Sequence, residues 1–220
     1  GIWVIADKQT KGRGRQARVW SSESGNFAAS AALPAGQLSA FQAYIPFAVA
    51  VAIGDALAPY LRPNAALAYK WPNDILVNDK KISGVLIEAI SSGQGLSALI
   101  VGIGINRAFA PSNTLFPATY LAECCVPGGL PLLTELFKDV THSLSKLLLQ
   151  LQSGYERQVL EAWRAKAWGM GTVRTITEHS TSYEARLIRL EDDGALIVEK
   201  INSNGDTTPR TSRVYAADVF

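Results

Sequence analysis

Two stretches of this sequence carry the residue types that do chemistry. Residues 12–20 read GRGRQARVW, three arginines and a tryptophan threaded through glycines with no hydrophobic period. Glycine costs backbone entropy on ordering, so such a run suits a closing loop better than a core. Lys8 and Lys11 join Arg13, Arg15 and Arg18, and no acid lies among residues 8–18. The formal net charge is only +2, so the rest of the chain is net negative and the positive field belongs to one loop. That distribution points to a local anion site and away from nucleic-acid tracking, which needs a broad basic face. A plain solvated charge run is the alternative; the alternating glycines and Trp20 count against it.

The second stretch is KWPNDILVNDKKISGVLIE, residues 70–88. A residue before proline is pushed out of the helical region, so Trp71-Pro72 enters extended and leaves Asn73 and Asp74 at the mouth of a strand, facing a pocket. Asp74 there can hold a divalent ion against phosphate oxygens, and Lys70 and Lys81 can neutralise phosphate or carboxylate charge. Gly84, inside the following strand, marks a close approach by a ligand or another backbone. Each residue alone could be a turn or a surface charge; the set together argues for a site.

Other chemistries lack residues. Cys124 and Cys125 are adjacent, a geometry too strained for an ordinary disulfide, and no Cys/His metal spacing occurs. His142 falls in an amphipathic helical run and His179 near a strand edge, positions that suit structural or surface roles. Metalloenzyme and thiol-hydrolase readings are therefore disfavoured.

Elements must exist to position these residues. IWVIAD (2–7) and NFAASAAL (26–33) read as strands flanking the basic loop. A long apolar helix is expected over 39–61, kinked at Pro46. Four strands follow at 66–71, 74–78, 81–90 and 96–106, with a hairpin turn at Asn78-Asp79. Residues 131–168 read as two helices broken near Gly154. From Gly171 the pattern changes to short alternating strands with turns at Asp192-Asp193-Gly194 and Asn204-Gly205, which suggests a small β barrel. The boundary falls in AWGMGT (167–172), dividing a catalytic domain, 1–170, from a C-terminal domain, 171–220. Apolar residues make up 48% of the chain and charged ones 18%, which excludes disordered and collagen-like classes. Pro46, Gly54 and Asp55 interrupt the most hydrophobic stretch, and no secretory signal opens the sequence, so a cytoplasmic protein without a membrane partner is expected.

GRGRQARVW followed by SGN, then KWPNDILVNDKKISGVLIE, then VGIGIN, in that order and spacing, resemble the signature blocks of the biotin protein ligase family, the biotin–[acetyl-CoA-carboxylase] ligases. The PATYLAE segment, the later helices and the β-rich tail are similar as well. The resemblance implies an α+β fold, a mixed sheet with helices packed on one side followed by a small SH3-like β barrel. It implies ATP- and Mg²⁺-dependent activation of biotin to biotinyl-5′-AMP, then transfer to one lysine of a biotin carboxyl carrier protein. Under it, Gln9, Gly12, Arg13, Arg15, Lys81 and Gly84 bind biotin. Arg18, Trp20, Lys70, Asn73, Asp74 and Asn106 bind ATP, with Asp74 also at the metal; Arg15, Arg18 and Lys81 are the catalytic set.

Two departures accompany the resemblance. Ala17 stands where the family usually has glycine, which narrows the loop's conformations. An upstream Ser-Thr-Asn block that contacts biotin in the family is not within these residues, and neither is the helix-turn-helix found in some relatives. The rivals are a lipoate or octanoyl transfer enzyme, of which the transferases need a reactive cysteine, and a non-catalytic biotin or nucleotide sensor. A homodimer could pair through the edge of the 81–106 strands.

Overall fold

Period-two alternation in the first half of the chain builds one antiparallel sheet. In the computed structural model, which describes residues 1–93, 95–178, 180–201 and 210–220, its strands are β1 (Ile2–Ala6), β2 (Phe27–Pro34), β3 (Leu67–Lys70), β4 (Asp74–Val77), β5 (Lys80–Ser92) and β6 (Gly95–Ile105). They lie in the order β1-β2-β6-β5-β4-β3. Every ladder is antiparallel. Parallel pairing is confined to single bridges, Tyr69 with Ala167 and Lys81 with Ala118, so the expected mixed character sits at the rim.

Helices cover one face. Helix α1 (Ile45–Leu57) is buried almost all round, as a helix apolar on every side must be, between strands β3–β5 and helices α3 (Leu133–Gln152) and α4 (Glu156–Arg164). A one-turn α2 (Leu121–Cys124) precedes them. The long kinked helix expected over 39–61 is three pieces instead. A 3₁₀ turn spans Gly36–Phe41, α1 begins at Ile45 with Pro46 in its first turn, and a second 3₁₀ turn at Ala58–Tyr60 holds Pro59. Proline in a first turn breaks no helical hydrogen bond, so Pro46 starts the helix rather than bending it.

The β-rich tail forms a second sheet: β7 (Val173–Glu178), β8 (Thr181–Leu190), β9 (Leu196–Lys200), β10 (Arg210–Val214) and β11 (Asp218–Val219), in the order β10-β9-β8-β7-β11. Five strands are present, but among the described residues they form an open sheet and not the closed barrel expected. The short β11 caps β7 and stops. His179 and the Asn204-Gly205 turn lie outside the described residues. The Asn78-Asp79 hairpin is present, both residues at positive φ (51° and 59°) as a type I′ turn requires. Among the described residues no helix is long and apolar enough to cross a membrane.

The register of the first sheet decides where a ligand can sit. Val101, Ile103 and Ile105 of β6 belong to the core beneath the helices. Gly102 and Gly104 alternate with them and line a cleft. Gly84 of β5 pairs directly with Gly104, so the cleft floor there has no side chains.

Candidate active site

The cleft holds about 490 Å³ and is bounded by the basic loop, the sheet, the 107–118 segment and the end of the C-terminal domain. Of the site residues expected from sequence, Gln9, Arg13, Arg15, Arg18, Trp20, Lys70, Asn73, Asp74, Lys81, Gly84 and Asn106 line it. Gly12 does not; it is buried behind the loop, where a Cβ would strike the Trp20 carbonyl oxygen.

The basic loop is a closed hairpin rather than a shapeless run. Gly14 N–H donates to Arg18 O (2.8 Å) and Trp20 N–H to Gly12 O (2.9 Å), and Arg13 bridges to Val19. Arg15–Ala17 form a 3₁₀ turn in which Gln16 (φ 53°) and Ala17 (φ 58°) are both left-handed. The hairpin lays the Trp20 indole across Gly84 and Gly104, so close that a Cβ on Gly104 would penetrate the ring. Lys81 Nζ stands 5.6 Å from the centre of the same ring, a cation–π distance.

Three charged side chains from β3, β4 and β5 meet beside it. Asp74 Oδ1 lies 2.5 Å from Lys81 Nζ and its Oδ2 lies 3.3 Å from Lys70 Nζ. Burial alone would push the Asp74 carboxyl up, but Lys81 and Lys70 outweigh it and hold the group below its ordinary value. Lys70, whose side chain is 7% exposed, is pushed down by burial and by Lys81, with Asp74 opposing. Its ammonium also faces the Phe116 ring at 4.6 Å. Asn73, one residue before Asp74, donates from Nδ2 to Val85 O at 2.5 Å, which fixes the mouth of the strand.

The arginines divide. Arg15 donates to Asn73 Oδ1 (3.5 Å) and Ala217 O (3.3 Å), and burial pushes its guanidinium down while Asp218 opposes. Arg18 pairs with Asp218 at 2.6 Å. Arg13 stands apart, its exposed guanidinium 3.4 Å from Glu88 at the outer end of the cleft. Asn106, 2% exposed, donates to Thr119 O and holds the root of the 107–118 segment.

Sequence reasoning missed five contributors. Asp218, Ala217 and Phe220 come from the far end of the chain and carry no local signal. Phe116 lay in an unremarked loop. Gly104 was legible in the alternating glycines of VGIGIN and was not singled out. Conversely, Cys124 and Cys125 are buried and neither lines the cleft; burial pushes the Cys124 thiol up, which suits no thiolate nucleophile.

A profile for the biotin/lipoate A/B protein ligase family matches residues 1–106. A biotin–[acetyl-CoA-carboxylase] ligase of Paracoccus denitrificans is 35% identical over 201 residues, covering 89% of this chain and 83% of the relative. The chain belongs to the biotin protein ligase family. Another member, the bifunctional ligase/repressor of Bacillus subtilis, is 29% identical over 244 residues; the match covers all of this chain and 66% of that longer relative. Among solved structures, the biotin protein ligase of Aquifex aeolicus in complex with biotin and ATP superposes with a TM-score of 0.80 at 25% identity, covering 99% of this chain and 88% of the other. The biotin ligase fold thus extends over both sheets.

Proposed function

We propose that this chain activates biotin with ATP to biotinyl-5′-AMP and passes the biotinyl group to a lysine of a biotin carboxyl carrier protein. The observation that carries the reading is the Lys70–Asp74–Lys81 cluster, with Lys70 buried, facing Arg15 and Arg18 across a glycine-floored cleft. Relatives named as biotin ligases and a neighbour that binds biotin and ATP support it.

Two anions must meet in the first step. The biotin carboxylate attacks the α-phosphate, a P–O bond forms, and the bond to the leaving pyrophosphate breaks. No protein nucleophile is needed; the barrier falls through positioning and charge neutralisation. Lys81 sits where the carboxylate and α-phosphate would converge, Arg15 and Lys70 add positive charge from either side, and Arg18 would meet the pyrophosphate once it leaves Asp218. Gln9 and Arg13, at the outer end, would face the biotin ring, and Trp20, Asn106 and Asn73 the nucleotide. Closure of residues 12–20 would keep water from the mixed anhydride. In the second step the carrier amine attacks the acyl carbon and AMP leaves.

Magnesium accompanies ATP as its phosphate-bound counter-ion. Asp74 does not fit as its ligand, because both carboxylate oxygens already face ammonium groups, and the described residues offer no cluster of three acidic, His or Cys side chains. Asp74 reads better as the counter-ion that orients the two lysines. The chain divides functionally into a catalytic unit over 1–170 and a C-terminal unit over 171–220 that closes the cleft. The outer half of β5, beyond its ladder with β4, is flanked only by β6 among the described residues and is the strand edge at which a homodimer would pair. The setting proposed is the cytoplasm, where the carrier is made.

Calorimetric titration of biotin, alone and with ATP, tests the reading together with mass analysis of a purified carrier domain. Binding followed by a single biotinyl addition to the carrier supports it; a folded chain that binds neither ligand contradicts it.

A further inference from the structure

The SGN block adjoins the sheet, yet nothing in the reaction above uses it. Asn26 is 5% exposed, and its side chain is fully engaged by one short segment. Oδ1 accepts the backbone N–H groups of Arg107 (3.1 Å), Ala108 (2.9 Å) and Phe109 (3.0 Å), while Nδ2 donates to Phe109 O (2.9 Å). Three converging donors fix the orientation of the amide, since only its oxygen can meet them. Arg107 adds bonds to Gly25 O and Pro131 O, tying the same root to both neighbours.

This root opens a loop whose other end is stitched to Lys81. Lys81 N–H donates to Pro117 O (2.7 Å), and Lys81 O accepts Thr119 N–H (2.9 Å). Asn106 Nδ2 bonds Thr119 O and closes the mouth of the loop, which makes 106–119 an Ω-loop. Its span carries Phe116 over Lys70 and lines the charged end of the cleft.

We infer that Asn26 is a positioning residue for the reaction: its amide anchors the 106–119 loop over the phosphate end of the cleft and so sets nucleotide affinity without touching a ligand. The inference rests on the proposed ligase reading. Loss of the one acceptor that three N–H donors share releases residues 107–109 at once, whereas none of these bonds involves Gln9 or Arg13, the residues proposed for the biotin end. A backbone amide cluster that no longer converges leaves Phe116 free to leave Lys70.

The test compares wild type, Asn26→Ala and Asn26→Asp; the aspartate keeps the acceptor for the three N–H groups but sets a carboxylate oxygen against Phe109 O in place of the donor. In Asn26→Ala the KM for ATP should rise roughly tenfold to a hundredfold, as misplacement of a binding loop does, while biotin affinity measured without nucleotide stays within about twofold. Asn26→Asp should recover part of the ATP affinity. An unchanged ATP KM in folded Asn26→Ala, or equal loss of biotin affinity, overturns the inference. If the alanine variant does not fold, the aspartate variant is judged by the same split. Limited chymotrypsin cutting after Phe109 gives a readout independent of activity. Faster cutting in the variant supports the anchor and an unchanged rate refutes it, even if wild-type chain releases no pyrophosphate and the ligase reading itself fails.

Discussion

Gly84 and Gly104 face each other across the β5–β6 ladder, and the indole of Trp20 lies on the bare floor they leave. The basic loop reaches the sheet only because neither residue has a Cβ. Gly104→Ala should lift Trp20 and with it the hairpin over 12–20, lowering kcat/KM for biotin activation by about a hundredfold. Its effect on unfolding stability should be small, since the clash is relieved by moving a surface loop. Steady-state kinetics beside a thermal melt would separate the two.

Asp74 is the counter-ion of two lysines, one of them buried. Removing it leaves an uncompensated charge in the interior, so Asp74→Ala should cost about 3–5 kcal/mol of stability, read by urea unfolding. The pH response has a definite sign. In the unfolded chain Asp74 takes up its proton near 3.8, and in the fold it does so lower. Its contribution is therefore complete above pH 3.8 and is lost as pH falls through the folded value. An acid titration of unfolding free energy should show a shallower slope below pH 3.8 in Asp74→Asn than in wild type.

Ala17 holds φ at 58°, where an L-residue with a Cβ is strained by about 1–2 kcal/mol. Glycine would relieve that strain but loosen the unliganded loop by about 0.4–1 kcal/mol. The balance favours the ordered hairpin, so Ala17→Gly should slow dissociation of the adenylate about twofold to fivefold. Ala17→Val should speed it. Stopped-flow release of a fluorescent adenylate analogue would measure both.

Much of this site is legible in the sequence. GRGR, WPND and Lys81 were readable because chemistry demands unusual residue types in short order, and the strands that hold them alternate plainly. The Asn78-Asp79 turn was readable because few residues accept two positive φ angles. The helix over 39–61 was misjudged because apolar periodicity does not register that Pro46 and Pro59 set limits on α1. The barrel was misjudged because alternation marks strands and says nothing about whether the sheet closes. Asp218 could not be found at all: its pairing with Arg18 spans almost the whole chain, and only tertiary packing brings them together.

That pairing suggests a competition. The Arg18–Asp218 bridge is partly exposed and should be worth less than about 1 kcal/mol to the fold. In the proposed reaction, pyrophosphate would have to displace Asp218 to reach Arg18. Asp218→Asn should leave the melting temperature nearly unchanged and lower the Ki for pyrophosphate about threefold. Product-inhibition kinetics would reveal it.

In the proposed reaction the Lys70–Asp74–Lys81 cluster and the arginine loop drive the attack of biotin on ATP. The most direct measurement is pyrophosphate release from this chain with ATP alone, with ATP and biotin, and with both in Lys81→Ala. Release that requires biotin and falls by at least about a hundredfold in Lys81→Ala is the expected result. Release without biotin, or biotin-dependent release that survives the loss of Lys81, would contradict it.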